Sequence, residues 1–177
     1  RQAAEMLDQS GRLAASKGLS SSKVIVTAAI EKYRFALKSF PESTGSMAAL
    51  LAFDGRAQAA YDLLVQMKPN LSAQVLTSAA MGVLRNGYST PRHFQMVRGW
   101  IDEALALDSK NLTLRLSLAE LLAIKQDYVA AEPIYREALK TEPDNVIALN
   151  NLAWILAPRA EAATEAMNCV NHAIEIS

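Results

Sequence analysis

Leu112–Asn145 reads LTLRLSLAELLAIKQDYVAAEPIYREALKTEPDN, a stretch of 34 residues. Two apolar-periodic segments flank a short polar link. Leu114, Leu118, Leu121 and Leu122 recur at three- and four-residue spacing, the stripe of an amphipathic helix. Ala119, Ala131 and Ala138 are small where two helices must approach each other. Larger side chains there would push the axes past the ordinary ~8–10 Å separation. Asp127 is placed to cap the second helix and Pro143 to end it, since proline lacks an N–H and clashes with the preceding turn. Pro133 is expected to cost a hydrogen bond or to kink that helix unless it sits in the first turn. A helix–turn–helix unit of this period is the mark of a repeat array, in which stacked neighbours bury what one unit cannot.

The second segment has relatives along the chain. Ala131, Tyr135, Ala138 and Pro143 are separated by four, three and five residues. Ala29, Tyr33, Ala36 and Pro41 keep that spacing, as do Ala57, Tyr61, Leu64 and Pro69. Val97, Ile101 and Ala104 keep it with Ser109 in place of proline, and Ala166, Val170 and Ala173 mark a last helix. Ala29 and Ala57 are only 28 residues apart, so the second pair is compressed and its first helix should be truncated or irregular. Ala57 and Val97 are 40 apart, which places an insertion of about six around Tyr88–His93. Pro91 suits the first position of the helix that restarts there.

Taken in order, the chain reads as five helix pairs in one array over 1–177, with approximate repeats 1–41, 42–69, 70–109, 110–143 and 144–177. The first pair is Gln2–Lys17, ended by Gly18, and a helix from Ser20–Ser22 to about Phe40. The second is Ser46–Phe53 and Arg56–Met67. The third is Ser72–Arg85 and Pro91–Leu107, parted by the Asn86-Gly87 turn signal. The fifth opens with VIALNNLAWILA, where Leu149, Leu152, Ala153 and Leu156 form the core side and Pro158 ends the helix.

Composition agrees with an all-α class: 51% hydrophobic, 20% charged, with only 7 glycines and 6 prolines in 177 residues. Lysine plus arginine equals aspartate plus glutamate, 18 against 18, so no basic excess points to nucleic acid. No apolar run approaches the ~18 residues of a membrane-spanning helix. Cys169 is the single cysteine, so no intrachain disulfide forms and the compartment stays open. The chain opens with Arg1 and shows no charged-then-apolar leader, and it reads as a portion of a longer protein.

Counted from Leu112, Ala119, Ala131, Ala138 and Pro143 stand at the eighth, twentieth, twenty-seventh and thirty-second positions. In these residues the stretch resembles the tetratricopeptide repeat (TPR) family. Tyr128 and Tyr135 fall where that family favours an aromatic; Arg115, at a common tryptophan position, and Pro133 depart from it. The resemblance implies a right-handed superhelical array of antiparallel helix pairs (an α-solenoid) whose first helices line a concave groove. On that mapping the groove receives Leu76, Thr77 and Ala80, then Thr113, Leu116, Ser117 and Glu120, then Ile147, Asn150, Asn151 and Trp154. It implies a peptide or helix of a partner protein as ligand, with apolar side chains docking and amides fixing the backbone. Trp154 suits an anchor on such a face, or equally a contact beneath a neighbouring repeat.

Asn151 matches the asparagine of the TPR clamp for chaperone-tail carboxylates. Leu116, Thr113 and Ile147 fill its basic positions, so an anionic tail is not the expected ligand. Cys169 and His172 are two possible metal ligands where structural zinc takes four, and no catalytic constellation or phosphate loop stands out. No cofactor and no catalysis are expected. The other readings are a recognition arm of a larger enzyme, a scaffold self-associating through uncapped ends, and, least favoured by charge, an RNA reader.

Overall fold

A computed structural model describes residues 22–37, 43–86 and 89–176. These form nine α-helices and no strands. In chain order they are α1 (Ser22–Ala36), α2 (Thr44–Phe53), α3 (Ala57–Met67), α4 (Ala73–Asn86), α5 (Pro91–Leu107), α6 (Leu112–Ile124), α7 (Tyr128–Thr141), α8 (Val146–Leu156) and α9 (Ala163–Glu175). Single 3₁₀ turns follow α3 at Lys68–Asn70 and precede α9 at Ala160–Ala162. The expected helix at Gln2–Lys17 lies outside the described residues. The chain divides into two compact units, Arg1–Trp100 and Ile101–Ser177, and α5 carries residues of both. Among the described residues no helix is long and apolar enough to cross a membrane.

The four–three spacing is a burial pattern. Ala29, Tyr33, Tyr61, Leu64, Val97, Ile101, Ala131, Tyr135 and Ala138 are each 1% exposed or less. Val170 breaks the pattern: at 37% exposed it is open, and Cys169, one residue earlier, takes the inward place between Ala166 and Ala173. In the first helices Leu114, Leu121, Leu149, Leu152, Ala153 and Leu156 are buried as expected, whereas Leu118 and Leu122 are only half-buried.

In the first unit α2 packs on α3 and α4, and α3 on α4. The α2–α4 approach is close: a Cβ added to Gly45 would lie 3.5 Å from that of Ala79. In the second unit α7 packs on α6 and α8, and α9 on α8, around one core running from Leu116 to Ala173. Asparagine and aspartate start α6, α7 and α8. The side chains of Asn111, Asp127 and Asn145 accept from the N–H groups of Leu114, Ala130 and Ala148 at 3.2, 3.3 and 3.0 Å.

Pro133 is the sixth residue of α7, beyond the first turn, and the helix continues through it. The carbonyl left without a donor is that of Val129, and both residues are exposed, so water can serve that group.

Helix corners explain the register. After α2, the N–H groups of Gly55 and Arg56 bond the carbonyls of Ala52 and Leu51 at 3.0 and 2.8 Å. After α6, those of Gln126 and Asp127 bond Ala123 and Leu122, both at 2.9 Å. Each is a Schellman closure with a left-handed residue at the pivot. Both corners span three residues, 54–56 and 125–127. The compression of the second pair therefore lies in its helices. α2 has 10 residues against 13 in α6, and Ala57 is the first residue of α3 whereas Ala131 is the fourth of α7. About one helical turn is missing on each side of an unchanged corner.

The expected insertion is only half local. Three residues form an additional first turn of α5, Pro91–His93, so that Val97 is the seventh residue of a 17-residue helix, with Pro91 at its first position. The remainder is spread singly over the connection at 68–72, α4 and the four-residue interval between α4 and α5.

Candidate partner-binding face on the eighth helix

The segment VIALNNLAWIL is almost wholly apolar, so α8 cannot divide cleanly into an inner and an outer side. Its buried side is Ala148, Leu149, Leu152, Ala153, Ile155 and Leu156. What remains is Ile147, Asn150, Asn151 and Trp154, at spacings that put all four on one face. Ile147 is 60% and Trp154 76% exposed, about 10 Å apart along the axis with the two amides between them.

The other groove candidates separate by burial. Thr113 is exposed and Glu120 half-buried on α6, in the same unit as the α8 face. Leu116 and Ser117 are buried; the Ser117 hydroxyl is satisfied by donating to the Thr113 carbonyl at 3.0 Å. In the first unit Leu76, Thr77 and Ala80 are buried and offer no surface. In that unit α4 packs on both α2 and α3. The Thr77 hydroxyl turns back to the Gln74 carbonyl at 3.1 Å. The accessible candidates are therefore Thr113, Glu120, Ile147, Asn150, Asn151 and Trp154, all in the second unit.

Glu120 and Asn151 flank the buried hydroxyl of Tyr135. Burial, reinforced by the Glu120 carboxylate and opposed by the Asn151 amide, holds that hydroxyl far above the usual tyrosine range. It stays protonated.

Beside Trp154 lies a cleft of about 480 Å³ between α8 and α9. Ala153, Ala157, Ala163 and Ala166 line it with Met167 and Val170, and no charged side chain does. Its size falls within the ~300–1,000 Å³ of ordinary ligand sites. Met167, Val170 and Ile174 give α9 an exposed apolar side, at 59, 37 and 69%. The sequence carries this signal as a second stripe, 167–170–174, beside the expected 166–170–173 one.

Charged groups tie α7 to α9. The Arg136 guanidinium donates to Glu165 on α9 and to Glu132 on its own helix, and Arg159 donates to Glu132 at 2.7 Å. Arg136 holds the Glu165 carboxyl below its usual range. For Glu132, burial pushes upward but the hydrogen bonds from Arg136 and Arg159 outweigh it, and the carboxyl is again held low. Cys169 faces the core, where burial pushes its thiol up and leaves it inert. His172 points instead to Asp144, at 2.8 Å.

Compared with known proteins, the chain matches no family model and no curated protein sequence.

Proposed function

We propose that this chain is a non-catalytic protein-interaction module of tetratricopeptide-like helix pairs, arranged as a right-handed superhelical array. It binds a peptide or helix of a partner protein on the side formed by the first helices of its pairs. The observation that carries this reading is the α8 face: an isoleucine and a tryptophan, both mostly exposed, bracketing two asparagines at helical spacing. Exposing an indole without a partner leaves a large apolar area in water, and tryptophan is the residue most enriched among binding anchors. Asparagine amides between two anchors are suited to the backbone of an extended or helical segment. A balanced net charge and an uncharged cleft favour a partner docked by apolar contact over a nucleic acid.

The test is capture from native lysate by the intact chain and by a Trp154→Ala, Asn151→Ala double variant, followed by titration of the captured partner in purified form. Circular dichroism checks that both chains are equally helical. Binding weakened at least tenfold in the variant supports the α8 face. Equal affinity of both chains for a verified partner would sink it.

A second reading, a self-associating scaffold, is favoured by the apolar side of α9. Light scattering over a concentration series separates them: a monomer throughout removes the scaffold, and a dimer abolished by Met167→Glu supports it.

A further inference from the structure

The additional turn of α5 has a built-in closure. Thr90 immediately precedes the helix and His93 is its third residue. The Thr90 N–H donates to His93 Nδ1 at 3.2 Å, and the His93 N–H is shared between the Thr90 carbonyl at 2.9 Å and the Thr90 hydroxyl at 3.4 Å. This reciprocal pair is a capping box in which an imidazole stands where glutamate or glutamine usually does. The other ring nitrogen crosses to α3, where Nε2 lies 3.1 Å from Gln58 Oε1. The ring stacks on Tyr61, centroids 4.0 Å apart and planes 25° from parallel. The Tyr61 hydroxyl in turn meets the Ser89 hydroxyl at 3.0 Å. His93 itself is 6% exposed.

These contacts fix the tautomer. Nδ1 faces a backbone donor and must be the acceptor, while the amide oxygen faces Nε2 and requires its proton there. Only the neutral Nε2–H ring satisfies both.

We propose that Thr90 and His93 form an acid-sensitive latch: a proton taken up at Nδ1 opens the first turn of α5 and releases it from α3. A protonated Nδ1 is a donor aimed at the Thr90 N–H, another donor, so the capping bond is lost rather than weakened. The buried imidazolium then has Gln58 and one distant carboxylate for support. The charged groups around the ring oppose one another: Arg92 on α5 repels the proton and Asp62 on α3 attracts it. Burial comes first among the causes and, with Arg92, holds the ring below the ordinary histidine range. A lowered folded value means that the unfolded or opened turn binds the proton more tightly. The latch is thus closed above about pH 6.5, the unfolded value, and loosens as pH falls from there through the folded one. This device is independent of what the α8 face binds.

The test uses the whole chain between pH 5 and 8, with amide protection factors at His93–Arg98 and nitrogen-15 shifts of both histidine rings. In the native chain the protection is expected to fall by up to about tenfold per pH unit within the window between the folded and unfolded values. His93→Gln, which cannot titrate, is expected to start lower and to stay flat. The neutral ring is expected to show Nε2–H, and His172, paired with Asp144, serves as the internal comparison. Equal pH slopes in native and variant chains, or an Nδ1–H ring at neutral pH, would overturn the latch. If His93→Gln does not fold, the ring shifts and protection of the native chain still decide: a ring titrating at or above the ordinary histidine value, or protection that does not follow it, excludes the latch.

Discussion

Gln126 holds, at the corner between α6 and α7, the left-handed conformation that Gly55 holds between α2 and α3, with φ of 64° and 79°. A side chain in that region costs roughly 1–2 kcal/mol, and glycine returns part of the gain as unfolded-state entropy. Gln126→Gly is therefore expected to raise stability by about 0.5–1 kcal/mol in urea unfolding. Gly55→Ala is expected to lower it by about 1 kcal/mol, a backbone penalty alone, because no atom lies within 4 Å of the added Cβ. A loss on Gln126→Gly would mean that the glutamine side chain contributes more than its backbone costs.

Tyr135 is fully buried, and only the Asn151 amide, at poor geometry, serves its hydroxyl. Removing a poorly satisfied buried group while keeping the ring is expected to be neutral or to stabilise, by up to about 1 kcal/mol. Tyr135→Phe is the measurement. A loss above that size would show that Asn151 or a bridging water supports the hydroxyl.

The Arg136 ion pairs concern acid stability. Glu165 and Glu132 ionise more readily folded than unfolded. Their contribution is present above the unfolded carboxylate range, near pH 4.3, and disappears as pH falls through the lower folded values. The Arg136 and Glu165 side chains are 40 and 43% exposed, so water screens the pair and Arg136→Ala is expected to cost only about 1 kcal/mol at pH 7. The difference from the native chain should shrink as pH falls through those lowered folded values. A difference that persists there would assign the loss to packing of the arginine stem.

The two sides of α8 should answer differently. Leu152, 2% exposed, is expected to cost about 2–4 kcal/mol on truncation to alanine. Trp154→Ala is expected to change stability by less than about 0.5 kcal/mol. Trp154 should emit near the wavelength of free indole, and Trp100, 7% exposed, well to the blue of it. A large stability loss on Trp154→Ala would place the indole in a packed contact.

Helix positions were readable because each rests on local chemistry. Asp127 caps α7 and Pro91 opens α5 as the sequence implies. Burial along the second helices followed from the alanine–tyrosine–alanine spacing, since a side chain's face depends only on its helix. The groove was less readable because accessibility depends on which helices meet. Leu76, Thr77 and Ala80 are buried in a unit where α4 packs on both α2 and α3. The open side of α9 was missed because Val170 serves two overlapping stripes, and spacing alone does not say which faces inward. The histidine of the capping box escaped because the usual pattern looks for glutamate or glutamine at the third position.

The constant three-residue corner between helices of unequal length has a further consequence. Its closure uses only backbone groups and one left-handed pivot, so it acts as a joint indifferent to what it joins. Asp54-Gly55-Arg56 and Lys125-Gln126-Asp127 are then interchangeable parts. A graft of the former into the α6–α7 corner should preserve the bend and lose only the Asp127 cap. The arms on either side of these two elbows can lengthen or shorten by whole turns without touching the closure itself.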